Sequence, residues 1–443
     1  MEKGLLSFSE ERLWALEREH TGSSAFVECP IHLASVVRLS GRLDLQALVD
    51  SVNEFVRRHD VLRSRFIEVD GKPLRAVAPF EKFSIPVITL NIPVEADRHQ
   101  AVREALAGKI SAPFDLATGP LVRVHLLRLA EEEHVLAVIV HHIVFDGWSV
   151  QIMWRELVAL YGAYVNGQTR PLPELKTNYS GYVTWLRSRL EGDRYEKLMT
   201  YWTNQLQGVP ELVVPGDRDR SIHTSNRSAT ERFVISNEQA AGLAKLCRDR
   251  GVTSGVAMAA ILKLLLHKLT DATDVVIGMP IADRNRPEFE PLAGLFLNVL
   301  VLRTEIANDP TFLELLEGVR QTFIKAYNHR DLPYGFLLGS QVSMAPLRVV
   351  FNFVVARSAA PSFPGLTAER IEVEGAPPSF ADLSLHVFDR GGALSGFVLY
   401  KVDLFSASRI REIVSLFIRL LSGVIDEPER RISQFGAVYA TGE

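Results

Sequence analysis

One short stretch holds most of the chemistry available to this chain: His141-His142-Ile143-Val144-Phe145-Asp146-Gly147. An imidazole with an ordinary pKa of about 6.5 can take up and return a proton near neutral pH. A positioned one acting as general base is typically worth about 10²–10⁴ in rate. Neighbouring residues on an extended chain point to opposite faces, so His141 and His142 cannot share a task. One can face a cavity as a base while the other is packed and holds the loop. Metal binding is the weaker alternative. His142 and Asp146 have the spacing of ligands on a helix, but no H-E-x-x-H pattern or cysteine cluster completes a shell. A hydrogen-bonded core histidine with no chemistry is the plainest reading of all.

The elements around the stretch decide how it is held. Val135-Leu136-Ala137-Val138-Ile139-Val140 precedes it, an apolar and mostly β-branched run that predicts a strand buried on both faces. After it, Ser149 is a candidate helix cap. Val150, Met153, Trp154, Leu157, Leu160, Tyr161 and Tyr164 then recur at helical spacing. The histidines therefore sit where a buried strand runs out, and Asp146-Gly147 makes the turn. A carboxylate there requires a cation. Gly147 predicts a positive φ or a close approach of backbone to reacting atoms.

A chain of 443 residues is long for one core and predicts two lobes, divided here at 1–176 and 177–443 with a link over Gly167–Pro173. Net charge is −4 with no basic block, which argues against nucleic acid. The N-terminus lacks an apolar signal core. The most apolar run, Gly255–Leu266, is interrupted by Lys263 and is too short to span a bilayer, so no membrane role is expected. Cys29 and Cys247 are far apart and suit packing in a reduced, cytoplasmic setting.

Capping signals place further helices. Ser7/Glu10, Ser236/Gln239 and Thr311/Glu314 have capping-box spacing, and Asp44 precedes a helix carrying Leu48, Val52, Phe55 and Val56. Helices are expected at about 237–249 and 254–269, and strands at 121–127 and 274–280. Asp382–Phe388 and Leu394–Tyr400 flank Arg390-Gly391-Gly392, a hairpin signal.

His141-His142-x-x-x-Asp146-Gly147 resembles the HHxxxDG signature of nonribosomal peptide synthetase condensation domains, shared by the wider chloramphenicol-acetyltransferase-like superfamily. Further stretches resemble the family's other motifs in the family's order. Ser7–Leu16 is similar to S-x-A-Q-x-R-L-W-x-L, departing at Ser9 and Glu10. Arg58–Phe66 is similar to R-H-E-x-L-R-T-x-F, with Asp60 and Ser64 substituted. Asn178–Trp185 resembles Y-x-D-Y-A-x-W, with Gly181 and Val183 departing. Gly294–Arg303 resembles G-x-F-V-N-T-L…R. His329–Tyr334 resembles H-Q-D-V-P-F-E, with Arg330 and Gly335 departing. Pro346–Phe353 resembles the next motif, with Met344 and Ala345 where polar residues are common.

The resemblance implies an α/β fold of two chloramphenicol-acetyltransferase-like lobes in a V-shaped pseudo-dimer, with the active site in a tunnel at their interface. It implies His142 as the catalytic base and His141, Asp146 and Gly147 as its support. By motif position, Arg63 is the partner of Asp146. Trp148, Ser149 and Asn298 are implied as motif or tunnel residues. No cofactor binds directly. A 4′-phosphopantetheine arm on a separate peptidyl or acyl carrier protein would bring the donor thioester, and a free or carrier-bound amine or alcohol would accept it. No G-G-x-S carrier signature, G-x-x-x-x-G-K loop or G-x-S-x-G elbow occurs, so a condensation enzyme standing alone, or an excised domain, is expected. Two alternatives remain: an acyltransferase using coenzyme A, which shares the signature, and a non-catalytic domain that recruits carriers, whose members tend to lose the second histidine. Cyclisation relatives carry aspartates for the histidines. Epimerisation relatives usually lack the Trp-Ser pair found here at 148–149.

Overall fold

The computed structural model describes residues 2–20, 31–92, 97–169, 171–220, 227–339, 347–355, 360–372 and 379–436. Cys29, Met344, Ala345 and Pro346 lie outside the described residues. The chain divides into two compact units. The first is built from residues 1–189, 282–297 and 358–377, and the second from 190–281, 298–357 and 378–443.

The boundary expected at 176 and the link expected over 167–173 both fall inside the first unit. The helix Tyr179–Ser188 stays with that unit because its apolar face, Tyr179, Tyr182, Val183 and Leu186, is buried in the unit's own core. Periodicity alone could not show that two later segments return to the same core.

The first unit holds two sheets. The smaller runs β1 (Glu2–Gly4), β4 (Lys72–Val77), β3 (Ser64–Val69). The larger runs β12 (Thr367–Ile371), β2 (His32–Ser40), β7 (Glu133–His141), β6 (Val122–Ala130), β5 (Val87–Thr89). β7 is central and antiparallel to both neighbours. Period-two alternation sends Leu136, Val138 and Val140 to a core shared with the helices Leu45–Arg58 and Gly147–Val165. Val135 and Ala137 go the other way, with Val102 and Leu106 of the helix Arg98–Ser111. The apolar run is thus a strand covered on both faces, and His141 and His142 stand at its end.

In the second unit one sheet runs β10 (Leu297–Glu305), β9 (Asp274–Ala282), β11 (Val349–Val355), β13 (Leu383–Arg390), β14 (Ala393–Lys401), β8 (Ser228–Val234). The hairpin of β13 and β14 turns at Gly391 and Gly392, whose φ values of 71° and 96° suit glycine. Both predicted helices form, over Asn237–Arg250 and Ser254–Thr270. The capping boxes at Ser236 and Thr311 form in full, as do both bonds between Ser7 and Glu10 in the first unit. Among the described residues no single helix is long and apolar enough to cross a membrane.

Lys263 sits within the helix Ser254–Thr270 and is fully buried. Its Nζ donates to Val275 O at 2.7 Å and Leu302 O at 2.6 Å, joining β9 and β10. Burial pushes its pKa down to about 7, against a smaller pull from Asp274. A neutral amine still has enough protons for both carbonyls. Between that value and the unfolded one, the unfolded chain binds the extra proton, so stability must rise with pH. Urea titrations from pH 7 to 9.5 are expected to show wild-type stability climbing relative to Lys263→Met by up to about 1.4 kcal/mol per pH unit. Parallel curves for the two proteins would place the titration elsewhere.

Candidate active site

β7 ends at His141, and a single 3₁₀ turn, His142–Val144, follows before the helix Gly147–Val165. His141 is buried. Its Nδ1 accepts the amide hydrogen of Ile143 at 3.1 Å, so its own proton is on Nε2, which donates to Glu17 Oε1 at 3.0 Å. Both nitrogens are engaged, and the ring packs edge-on to His32 and Phe114. This is a structural imidazole.

His142 has the opposite arrangement. Its Nδ1 lies 2.7 Å from Phe145 O, and a carbonyl only accepts, so Nδ1 carries the proton. Among the described residues Nε2 has no hydrogen-bond partner. It therefore offers a lone pair on a half-buried ring. Burial pushes the pKa of His142 below the ordinary histidine value, against its backbone hydrogen bonds and the charge of Asp146, which raise it. The neutral, base-competent form is accordingly favoured at pH 7.

Asp146 caps the helix Gly147–Val165, in place of Ser149. Its Oδ1 accepts the Ser149 amide at 2.7 Å and the Ser149 hydroxyl at 2.6 Å; its Oδ2 accepts the Phe296 amide at 3.1 Å. The cation is Arg284, whose Nη2 lies 3.1 and 3.2 Å from the two carboxylate oxygens. Both side chains are almost wholly buried, at 3% and 6% exposure. Arg284 also donates to Phe289 O and Leu292 O and lies over the Phe296 ring, its Cζ 3.8 Å from the centroid. Burial pushes the Arg284 guanidinium down and Asp146 pulls it back up.

The expected Arg63–Asp146 pair does not form. Arg63 donates to Ala78 O and to Arg57 O, fastening the 3₁₀ turn Asp60–Arg63 to the end of β4. Its motif neighbour His59 is the more engaged residue. It accepts from Ala293 N at 3.2 Å and meets Glu156 at 3.0 Å, alongside Arg58. Burial tends to raise the pKa of Glu156, but these two partners outweigh it and hold the carboxyl below its ordinary value.

Gly147 departs from one of its two expectations, the positive φ. It is the first residue of its helix, is exposed and has no positive φ, and a Cβ there would meet nothing within 4 Å. The chain's own packing does not require glycine at this position. Trp148 is 42% exposed, with its indole N–H 3.3 Å from Glu290 O. Ser149 is buried, accepting from Gly294 N at 3.0 Å as well as bonding Asp146. Asn298 belongs to the second unit, where its amide bonds Arg330 O, Tyr334 N and Val299 N. It is a structural clamp on the turn after the helix Phe312–Asn328. Among the described residues no group of three or more His, Cys, Asp or Glu side chains is placed to hold a metal ion.

Sequence reading missed Arg284 and Glu17. Arg284 lies in a charged, irregular segment between two apolar strands, and its only cue was its place just ahead of the Gly294 motif. Glu17 lies one turn beyond the Trp14 motif on the helix Phe8–His20, with no cue in spacing that it reaches the histidines.

The family model described as "Condensation domain" matches residues 2–441. The chain belongs to the condensation domain family. A linear gramicidin synthase protein of Brevibacillus parabrevis is 35% identical over 438 residues, covering 97% of this chain and 8% of that protein. Phosphinothricin tripeptide synthetase PhsB of Streptomyces viridochromogenes is 33% identical over 436 residues, covering 96% of this chain and 36% of that protein. This condensation domain therefore spans only a minor part of the length of these relatives. The X-domain from teicoplanin biosynthesis superposes with a TM-score of 0.87 at 27% identity, covering 99% of this chain and 98% of that one. The mixed α/β architecture, with one large sheet in each unit, is that of the family.

Removing one member of a buried ion pair typically costs about 3–5 kcal/mol, because the other charge is left without a partner. Asp146→Ala and Arg284→Met are each expected to lower unfolding stability in urea by about that much, and Arg63→Ala by clearly less. An unchanged melting temperature for Asp146→Ala, with activity abolished, would show that Asp146 acts in the chemistry instead.

Proposed function

We propose that this condensation domain transfers an acyl or aminoacyl group from a carrier-bound thioester to an amine or alcohol in nonribosomal peptide assembly, forming an amide or ester. The observation that carries the reading is the Nε2 of His142, without a hydrogen-bond partner among the described residues while Nδ1 is held by Phe145 O. The acceptor's lone pair attacks the thioester carbonyl carbon and its proton passes to Nε2. The C–S bond then breaks as the carbonyl re-forms, and the imidazolium returns the proton to the departing thiolate. Atoms and charge balance with no redox partner.

The donor is best read as arriving on the phosphopantetheine arm of a carrier protein acting in trans. The open space beside Gly147 suits a substrate approaching the histidine turn. Partner recruitment is the second reading, favoured by the likeness to the teicoplanin X-domain, which is known in complex with OxyB. A docking surface has no use for a desolvated base with a vacant lone pair, and this favours catalysis.

The test is single-turnover condensation followed by intact-mass analysis of loaded carrier proteins offered amines and alcohols. His142→Ala is expected to reduce product formation by at least about 10², the lower end of general-base contributions. Faster reaction of a free small thioester than of the carrier-bound donor would favour a coenzyme A acyltransferase. Undiminished turnover by His142→Ala would leave recruitment or mere positioning.

The pH profile gives a separate check. A base works when unprotonated, and burial has lowered the His142 pKa. With an alcohol acceptor, which has no titration of its own in this range, the rate is therefore expected to hold as pH falls through 6.5, the unperturbed histidine value, and to decline only at lower pH. A decline centred at or above that value would mean that His142 is not the titrating base.

A further inference from the structure

Resting on the catalytic reading of His142, we propose that Glu17 is a positioning residue for the reaction: it locks His141 as the Nε2–H tautomer, and so holds the turn that aims His142. The relay is continuous. Glu17 Oε1 lies 3.0 Å from His141 Nε2, and the Ile143 amide donates to His141 Nδ1 at 3.1 Å. Ile143 follows His142 within the 3₁₀ turn, and that turn closes with Phe145 N donating to His142 O at 3.2 Å.

The identity of Glu17 matters because a carboxylate has no donor when ionised. It can only accept, so the ring proton must be on Nε2 and Nδ1 must be bare. If the proton moved to Nδ1, two N–H groups would face each other at a buried amide, and a buried donor left unmet is costly. The turn would relieve that clash by shifting, and His142 would shift with it. The Ile143 amide at Nδ1 asks for the same tautomer, and among the described residues Glu17 is the side chain that fixes it from Nε2. His32 meets His141 only ring to ring, with centroids 5.5 Å apart, and its own Nδ1 is engaged with Ile110 O at 2.9 Å. Glu17 is 25% exposed and lies near the end of its helix, so its own contribution to folding should be small.

The relay makes the adjacent histidines opposite tautomers, which can be read without any assay. Long-range ¹H–¹⁵N correlation on histidine-labelled protein, assigned with His141→Asn and His142→Asn, is expected to show His141 protonated on Nε2 and His142 on Nδ1. In Glu17→Ala the His141 pattern should become mixed or reversed. Turnover should separate in the same variant. A misplacement of about 1 Å can cost about 10² in rate, so kcat is expected to fall about 10- to 100-fold, with KM for the acceptor and the melting temperature unchanged. Glu17→Gln can still present an accepting oxygen and should recover most of kcat. A native His141 tautomer together with native kcat in Glu17→Ala would overturn the proposal. So would a kcat loss that follows a fall in melting temperature, or one that Glu17→Gln does not relieve. If the tautomers behave as stated and wild-type protein shows no condensation, the relay stands and the catalytic reading is what fails.

Discussion

A carboxylate almost wholly removed from water must be met by donors on every side, and Asp146 sets that condition at the centre of the first unit. The chain that follows supplies the Ser149 amide and hydroxyl, while Arg284 and the Phe296 amide come from a segment far along the sequence. Capping the helix Gly147–Val165 and capturing residues 282–297 are therefore one event. It also explains Gly294, where a Cβ would sit 2.3 Å from the Tyr179 ring, a distance no side chain tolerates. Because Ser149 and the Gly294 amide must meet, the backbone of that segment has to pass against Tyr179.

With the turn fixed at its far end by Asp146 and at its near end by His141, the roles of the two histidines follow from their hydrogen-bond partners. His141 faces an amide hydrogen, so its near nitrogen must be bare and its far nitrogen is spent on Glu17. His142 faces a carbonyl, so its near nitrogen must carry the proton and its far nitrogen stays open. Two identical side chains, adjacent in sequence, become a strut and, on the condensation reading, a base through the polarity of one backbone group each. Alternation of faces along a strand predicted that the roles would differ. It could not say which residue took which, because the strand ends at His141 and the turn alone aims His142.

Local signals were legible wherever the physics is local. The capping boxes at Ser7, Ser236 and Thr311 and the buried run of β7 need only a few neighbouring residues, and all of them form. What stayed hidden involves chain return. Arg284 reaches Asp146 across a sequence gap that no periodicity spans, and motif order pointed instead to Arg63, which fastens a different turn. The unit boundary moved for the same reason. The helix Tyr179–Ser188 follows a polar, proline-containing stretch that reads as a link, yet its aromatic face completes the core behind it. Gly147 failed in one half of its expectation: the structure gives it no positive φ, while the open space beside it leaves the other half, a close approach to reacting atoms, in place.

Desolvation at His142 acts in two directions. It keeps the imidazole neutral and ready at pH 7, and it weakens the imidazole as a base. On the condensation reading, that compromise suits an amine better than an alcohol. An α-amino group with a pKa of about 7.7–8 is already partly neutral and can begin the attack unaided. Its proton becomes acidic only as the new bond to carbon forms, and a weak base at close range is then sufficient. An alcohol needs its proton drawn away while the oxygen is still attacking, and a base of lowered pKa does that less well. The same burial that frees His142 from protonation thus biases the site towards nucleophiles that supply most of their own reactivity. What the protein must contribute is aim, and this is why so many hydrogen bonds are committed to one short turn.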